Sequence, residues 1–149
     1  MDLRNAGVVV GALIVLTFPF VSRAVERDVS LPRVPPDQLP AAKALKNPFP
    51  STPENIAKGD GLFHGKGTCF VCHGVNGLGD GPAAVGLDPS PRNFSNAAFH
   101  RSRTDGELMW VIKNGSAGTA MVPLVGSVID EDDAWLIILY ERSLARPES

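Results

Sequence analysis

Two cysteines and a histidine stand together near the middle of the chain, in the run Cys69-Phe70-Val71-Cys72-His73. These are the only two cysteines among the 149 residues, so the thiol chemistry of the chain is confined to this point. A Cys-x-x-Cys pair serves as a redox dithiol, as half of a zinc site or, when histidine follows directly, as a haem attachment site. Residues three apart share one side of a helical turn, so both thiols can reach the two vinyl groups on one edge of a porphyrin.

The rival interpretations of the motif need features that the rest of the chain lacks. A zinc site needs four nitrogen or sulfur ligands, and beyond the motif only His64 and His100 remain, without paired spacing. A thioredoxin-like dithiol would follow a strand in a βαβ pattern, which is missing here. A structural disulfide would not explain the adjacent histidine. The motif therefore predicts one covalent haem c, bonded through Cys69 and Cys72 and ligated by His73.

The second axial ligand decides what such a haem can do. The candidates are Met109, Met121, His64 and His100. Met109 stands beside Leu108 and Trp110 in an apolar helix and is expected in the core, while Met121 lies in a loop of small residues. We expect Met121 to be the ligand and bis-histidine ligation to be the alternative. A His/Met pair fills both axial positions and raises the reduction potential, which suits electron transfer rather than catalysis.

Helix start signals surround this motif and give an all-α fold without convincing strands. Thr52 followed by Pro53 predicts a helix start, and the helix would run to about Phe63 with Gly59 permitting close approach. Thr104 and Glu107 form a capping box that opens a helix over about 105–113. The acidic run 130–133 suits a helix N-terminus, and that helix would continue to about residue 144. Residues 74–103 are expected to be loop.

The chain divides into three predicted parts: residues 1–24, 25–51 and the haem domain 52–149. Ala6–Val21 is an uncharged apolar run of 16 residues, about 24 Å as a helix, which is either a retained membrane anchor or a signal peptide cleaved after Ala24. Both interpretations place residues 25–149 outside the cytoplasm. The Pro-rich linker 25–51 favours extended backbone with a short helical turn near 41–46. It acts either as a flexible spacer or as a strap that lets the haem domain reach from the membrane or that packs across a partner subunit.

Composition excludes some classes of function. The formal net charge is −2 and no basic stripe is present, so nucleic acid is not an expected partner. Residues 51–149 carry eight Lys and Arg against twelve Asp and Glu, so the predicted haem domain is acidic. With 15 glycines and 13 prolines the chain is rich in loops, and a small loop-rich domain needs a staple such as a bound cofactor.

From Thr52 to Leu144 the chain resembles the class I cytochrome c family. The resemblance rests on Cys69-x-x-Cys72-His73-Gly74, on the runs 77–82, 91–94 and 118–121, and on Asp133-Ala134-Trp135-x-x-Ile138-x-Tyr140. It implies a small helical bundle around one haem, in which the first and last helices cross through Gly59, Phe63 and Tyr140. It also implies His73 as proximal and Met121 as distal ligand. Val122 departs from the family, in which proline often follows the methionine.

The same resemblance implies roles for residues around the haem. Pro82 would offer its carbonyl oxygen to the second ring nitrogen of His73, with a plain turn proline as the alternative. Arg92, Asn93 and Trp135 would meet the haem propionates, with a surface arginine and a core tryptophan as the alternatives. With its apolar N-terminal run, the chain also resembles the anchored monohaem subunits of bacterial respiratory or photosynthetic membrane complexes.

The expected function is that of a single-electron carrier and not of an enzyme. It would be tethered to the membrane as a subunit or partner of an electron-transfer complex, exchanging electrons with protein partners and without a small-molecule substrate. A soluble periplasmic shuttle released by signal cleavage is the alternative within this class. A haem sensor or enzyme with an open sixth site and a thiol oxidoreductase are the alternatives outside it.

Overall fold

The computed structural model describes residues 28–146, and within this range the regular structure is helical. Six α-helices and one short 3-10 helix occur, with an isolated bridge between Val125 and Ile129 and no strand in the described range. The all-α prediction is confirmed. The helices are α1 (Leu39–Ala44), α2 (Pro53–His64), α3 (Phe70–His73), α4 (Ala97–Ser102), α5 (Asp105–Asn114) and α6 (Glu131–Ser143), with the 3-10 helix (Pro82–Ala84) between α3 and α4.

The three longest helices begin at the residues that the sequence predicts. The Thr52 hydroxyl accepts a hydrogen bond from the backbone N–H of Asn55 at the start of α2. Thr104 and Glu107 form a reciprocal capping box at α5, as Asp130 and Asp133 do at α6. Each cap satisfies backbone donors that the first helical turn leaves without a partner.

Helices α2 and α6 cross at close range and form the centre of the core. A β-carbon added at Gly59 would lie 2.1 Å from the carbonyl oxygen of Leu136, so only glycine allows this approach. Phe63 is fully buried, and its ring meets that of Tyr140 edge-on at 5.2 Å. The predicted crossing through Gly59, Phe63 and Tyr140 is confirmed.

Helix α5 packs against α6 and completes the core. Met109 is 3% exposed and belongs to the core cluster, as expected, together with Leu108 and Ile112. Glycine at 106 lets the segment before α2 approach, because a β-carbon there would meet the Ala42 carbonyl oxygen at 1.9 Å.

Residues 28–51, called the strap below, pack onto the helices. Val34 and Ala42 are 4% and 3% exposed, and the indole Nε1–H of Trp110 donates to Oε1 of Gln38 at 2.8 Å. The Asn47 side chain donates to the Trp135 carbonyl oxygen at 2.9 Å. The short helix predicted near 41–46 is α1, two residues earlier. Residues 28–51 therefore pack on the helices of their own chain, an arrangement that differs both from a flexible spacer and from a strap that reaches to a membrane or a partner subunit.

Residues 74–103 contain more regular structure than expected. Helix α4 lies within this predicted loop, and the Asn96 side chain caps it by accepting from the backbone N–H groups of Ala98 and Phe99. The six residues of α4 are too few to show a helical period, so the cap is the stronger signal.

The predicted anchor or signal, residues 1–24, lies outside the described residues. Among residues 28–146, no helix is both long enough and apolar enough to cross a membrane. The domain boundary at 51/52 stays a prediction.

Candidate haem-binding site

The Cys-x-x-Cys-His motif folds as one helical turn directly after α2. The backbone N–H of Cys69 donates to the Phe63 carbonyl oxygen at 2.9 Å, which fixes the start of α3 to the end of α2. The His73 N–H donates to the Cys69 carbonyl oxygen at 2.9 Å. Cys69 and Cys72 are not joined to each other in a disulfide, and both line one cavity together with His73.

The imidazole of His73 is held from two sides. Its Nδ1 lies 3.0 Å from the carbonyl oxygen of Arg92, and its ring stacks on Phe94 with centroids 4.6 Å apart. Nδ1–H donates to that carbonyl, which leaves Nε2 as the metal-binding nitrogen. Burial lowers the pKa of His73, so the ring is neutral, the form that binds a metal.

The carbonyl oxygen of Pro82 is not the partner of the His73 ring that the resemblance implies. Pro82 lies exposed at the start of the 3-10 helix, and the carbonyl bonded to Nδ1 belongs to Arg92. The physical reason is the path of the loop: Gly79 N–H donates to the His73 carbonyl oxygen and Gly81 N–H to that of Cys72, so this part of the loop caps the backbone of the motif. The stretch near Arg92 then passes the imidazole.

The cavity beside the motif has a volume of about 280 Å³ and mostly apolar walls. Helix α5 contributes Leu108, Val111 and Ile112, and α6 contributes Ile137. Its polar lining includes three arginines and two glutamates: Arg33, Arg92, Arg103, Glu107 and Glu141. An apolar cavity with a few convergent polar groups is the usual form of a cofactor site.

Met121 lines this cavity, and the other candidates for the second axial position do not. Its backbone is fixed within its loop, since the Ser116 N–H donates to the Met121 carbonyl oxygen at 2.9 Å and the Met121 N–H to Oγ1 of Thr119 at 3.1 Å. His64 Nε2 lies 3.0 Å from the Val75 carbonyl oxygen, and His100 Nε2 lies 2.6 Å from that of Phe94. Both rings are therefore engaged elsewhere.

Of the three residues expected at the propionates, Arg92 alone lines the cavity. Its guanidinium carbon lies 4.8 Å from the centroid of the Phe99 ring. The side-chain oxygen of Asn93 instead accepts from the backbone N–H and the hydroxyl of Ser95, which closes a turn. Trp135 belongs to the core and is 8% exposed, so the core alternative holds for it.

Four charged residues of the cavity could not be assigned to the site from the sequence. Arg33 comes from the strap and Arg103 from the turn between α4 and α5; Nη1 of Arg103 lies 3.9 Å from Oε1 of Glu107. That buried oxygen has no hydrogen-bond partner among the described residues. Glu141, the fourth, lines the cavity from α6. The sequence does carry a signal for Glu141, because it is the single charged residue in the otherwise apolar run 134–141.

The chemistry of these donors fits a covalent haem and opposes the rival uses of the motif. Burial raises the pKa of Cys69 to about 12, with the Glu141 carboxylate adding to the rise, whereas a catalytic dithiol needs a lowered thiol pKa. The described residues include no group of three or more His, Cys, Asp or Glu that could hold a metal ion. Two thiols, an imidazole nitrogen and a thioether line one apolar cavity, as a haem with two thioether links would require.

Comparison with known proteins agrees with this assignment. The family model described as cytochrome c oxidase, cbb3-type, subunit III matches residues 54–140, more than half of the 149 residues. The chain belongs to this family. Its cytochrome c domain identifies the protein as an electron carrier with a covalently bound c-type haem.

A solved structure shares the fold. It is a chain of the Kuenenia stuttgartiensis reducing HAO-like protein complex Kustc0457/Kustc0458, with a TM-score of 0.58 and 28% sequence identity. The match covers 66% of this chain and 47% of the other, so the chain spans about half the length of that relative. No curated protein matches the chain significantly.

Proposed function

We propose that His73 and Met121 bind the haem iron from opposite sides and that the protein transfers single electrons without a substrate site at the metal. The observation that carries the proposal is that Met121 lines the same cavity as Cys69, Cys72 and His73, whereas neither His64 nor His100 does. Haem supplies an iron that changes between the ferrous and ferric states.

The surrounding residues suit this role. The Arg92 carbonyl oxygen orients His73, and the loop around Met121 positions the thioether. The aliphatic side chains of α5 and α6 form much of the cavity wall, and apolar walls lower the local dielectric constant. With both axial positions filled, oxygen and small substrates have no open coordination site, and methionine ligation raises the reduction potential.

The test is the replacement Met121→Ala, with Met109→Leu as the matched control. Met121→Ala is expected to remove the weak red absorption band of ferric methionine ligation and to lower the midpoint potential by on the order of 0.1 V or more, because axial ligands set haem potentials. Met109 lies in the core, so its isosteric replacement should keep both properties.

Two results would contradict the ligand assignment. One is an unchanged spectrum and potential in Met121→Ala. The other is rapid binding of carbon monoxide by the reduced wild-type protein, which would indicate an open sixth position and favour the sensor or enzyme alternative.

We further propose that the haem domain lies outside the cytoplasmic membrane, tethered by residues 1–24, and that it works with a multi-subunit membrane complex. The apolar run Ala6–Val21 supports the tether, and the family description, which names an oxidase subunit, supports the complex. The relative in the solved structure also belongs to a protein complex.

Purification in mild detergent, followed by sequencing of the mature N-terminus and identification of co-purifying proteins, tests this placement. A mature chain that begins at Met1 is expected for the tethered form. A chain that begins at Val25 would support the soluble shuttle instead. Recovery of the protein alone from membranes would argue against a stable complex.

A further inference from the structure

Glu141 is a buried acid in the wall of the haem cavity. It is 6% exposed and lies one helical turn after Ile137, which also lines the cavity, so both side chains share one face of α6. Its carboxyl group is close enough to Cys69 to raise the pKa of that thiol. Glu141 therefore lies on the side of the cavity where the first thioether link would form.

The neighbouring arginine does not neutralise this carboxyl group by pairing with it. Arg142 points away from the cavity, where its guanidinium donates to Oδ1 of Asp105 at 2.8 Å and to the carbonyl oxygens of His100 and Arg103 at 2.7 and 2.6 Å. Within the described range 28–146, no hydrogen bond lowers the pKa of Glu141 by favouring its charged form. A carboxylate in a low-dielectric site without such donors is disfavoured relative to the neutral acid.

The other charged groups near Glu141 include both acidic and basic side chains. Asp105 and Glu107 on α5 are acidic, and the ionisable residues of α2 are occupied at the surface, as in the pairs Lys58–Glu54 and His64–Asp60. The remaining ionisable groups in the cavity wall are Cys69, Cys72, His73, Arg33, Arg92 and Arg103. Burial raises the pKa of Glu141 to about 8, with Arg142 opposing the rise and Asp105 adding to it. The group thus changes charge near neutral pH.

We propose that the Glu141 carboxyl group couples electron transfer at this haem to the uptake and release of one proton. An electron that enters the cavity adds one negative charge, and a like charge in a low-dielectric space disfavours the nearby carboxylate. On reduction the electron comes from the donor protein and the proton from water, forming the O–H bond of Glu141. On oxidation the electron leaves to the acceptor, and this O–H bond breaks to return the proton to water.

This inference rests on the covalent haem and not on which residue is the sixth ligand. It predicts a midpoint potential that falls as the pH rises through the region around 8, where Glu141 titrates. A tenfold change in proton concentration alters the equilibrium constant for reduction by at most tenfold, which is about 59 mV for one electron. The slope should be negative near pH 8 and should not exceed this value in magnitude, because one proton is exchanged per electron.

Redox titrations of the haem-loaded protein from pH 5 to pH 10 test the coupling in wild type, Glu141→Gln and Glu107→Gln. Glu141→Gln should show no slope near pH 8 and should keep at high pH the potential that wild type shows at low pH. Glu107→Gln is the matched control, since it changes the other glutamate of the cavity and glutamine preserves the capping box. It should shift the whole curve and keep the slope.

A wild-type potential without a slope, or a slope that persists in Glu141→Gln, would overturn the proposal; the second result would point to a propionate or another group.

Haem staining on a denaturing gel and the visible spectrum establish that each variant is folded and loaded. If Glu141→Gln does not accumulate, infrared difference spectra of wild type decide instead: a C=O band of a protonated carboxyl group must appear on reduction, and its absence overturns the proposal. Failure of the ligand assignment would appear as an unchanged visible spectrum in Met121→Ala, whereas failure of this inference would appear only in the pH dependence of the midpoint potential.

Discussion

His73 and Met121 line the same cavity, but the contacts that position them differ in kind. His73 belongs to a helical turn joined to α2, its Nδ1 lies 3.0 Å from the Arg92 carbonyl oxygen, and its ring stacks on Phe94. Phe94 is 5% exposed and in turn contacts the fully buried Phe63 edge-on. The proposed proximal ligand, His73, is therefore held by the helical core itself.

Met121 is held by its own loop. Gly115, Ser116 and Thr119 contact or bond its backbone, and the loop returns to α5 where the Leu124 N–H donates to the Ile112 carbonyl oxygen at 2.9 Å. Met121 itself is only partly buried. Loops held mainly by their own hydrogen bonds open at lower free energy than core helices do. We expect damage to the proximal side to unfold the protein and damage to the distal side to release only the methionine.

The largest effect is expected from Phe94→Ala on the proximal side. Loss of a buried phenylalanine costs about 3–5 kcal/mol of unfolding free energy, and here it also removes the ring against His73. Denaturant unfolding followed by helical circular dichroism measures this loss. Phe70→Ala is the control, since Phe70 stacks on His64 but is only partly buried. An equal or larger loss in the control would contradict the proximal side as part of the core.

An intermediate effect is expected from Gly115→Ala on the distal side. Gly115 has φ of 76°, and an added β-carbon would lie 2.7 Å from the Met121 carbonyl oxygen. A positive φ combined with the extended ψ of Gly115 costs alanine about 1–3 kcal/mol, and the backbone contact adds about 1–3 kcal/mol. The methionine absorption band should disappear at a lower temperature or pH, well before the helical signal is lost.

Gly118→Ala separates the two causes. Gly118 has φ of 72° in the same loop, but an added β-carbon would have no atom within 4 Å. Backbone strain alone should therefore act there, with a smaller shift. Equal shifts in the two variants would mean that the approach of residue 115 to Met121 does not position the ligand.

The smallest effect is expected from Thr119→Val. Its hydroxyl donates to the Ser116 carbonyl oxygen at 2.7 Å and accepts from the Met121 N–H at 3.1 Å, and such bonds contribute about 0.5–1.5 kcal/mol each. The methionine band should again be the more sensitive signal. Ser127→Ala is the control, because its hydroxyl bonds carbonyl oxygens in an exposed turn beyond the ligand loop. A control that weakens the band equally would refute a specific role for Thr119.

Features with local chemical signatures could be predicted from the sequence. The caps at Thr52, Thr104 and Asp130 each place a side-chain acceptor three residues before a backbone donor, so they identify their helices directly. The close contact of α2 with another helix at Gly59 could be predicted, because a glycine inside an amphipathic helix indicates close approach of neighbouring backbone. The attachment motif needs only five consecutive residues, so its spacing is complete in the sequence.

Features that depend on backbone paths could not be predicted. Any residue can offer a carbonyl oxygen, so nothing in the sequence distinguishes Arg92 from Pro82 as the partner of His73. Arg33 and Glu141 reach the cavity from segments more than 100 residues apart, and only the folded topology brings them together. The assignment of Met121 as the distal ligand and the role of Arg92 at the haem propionates stay predictions.

The strap changes what counts as the cofactor-binding unit. Arg33 and Val34 line the cavity, yet both precede the range 54–140 that matches the family. A fragment cut to that range would keep both thiols, His73 and Met121, but it would lack the wall that Arg33 and Val34 line, so that side of the cavity would be exposed to water. Water entering there would screen every charge inside, so such a fragment is expected to misreport the natural redox potential even if its colour is normal.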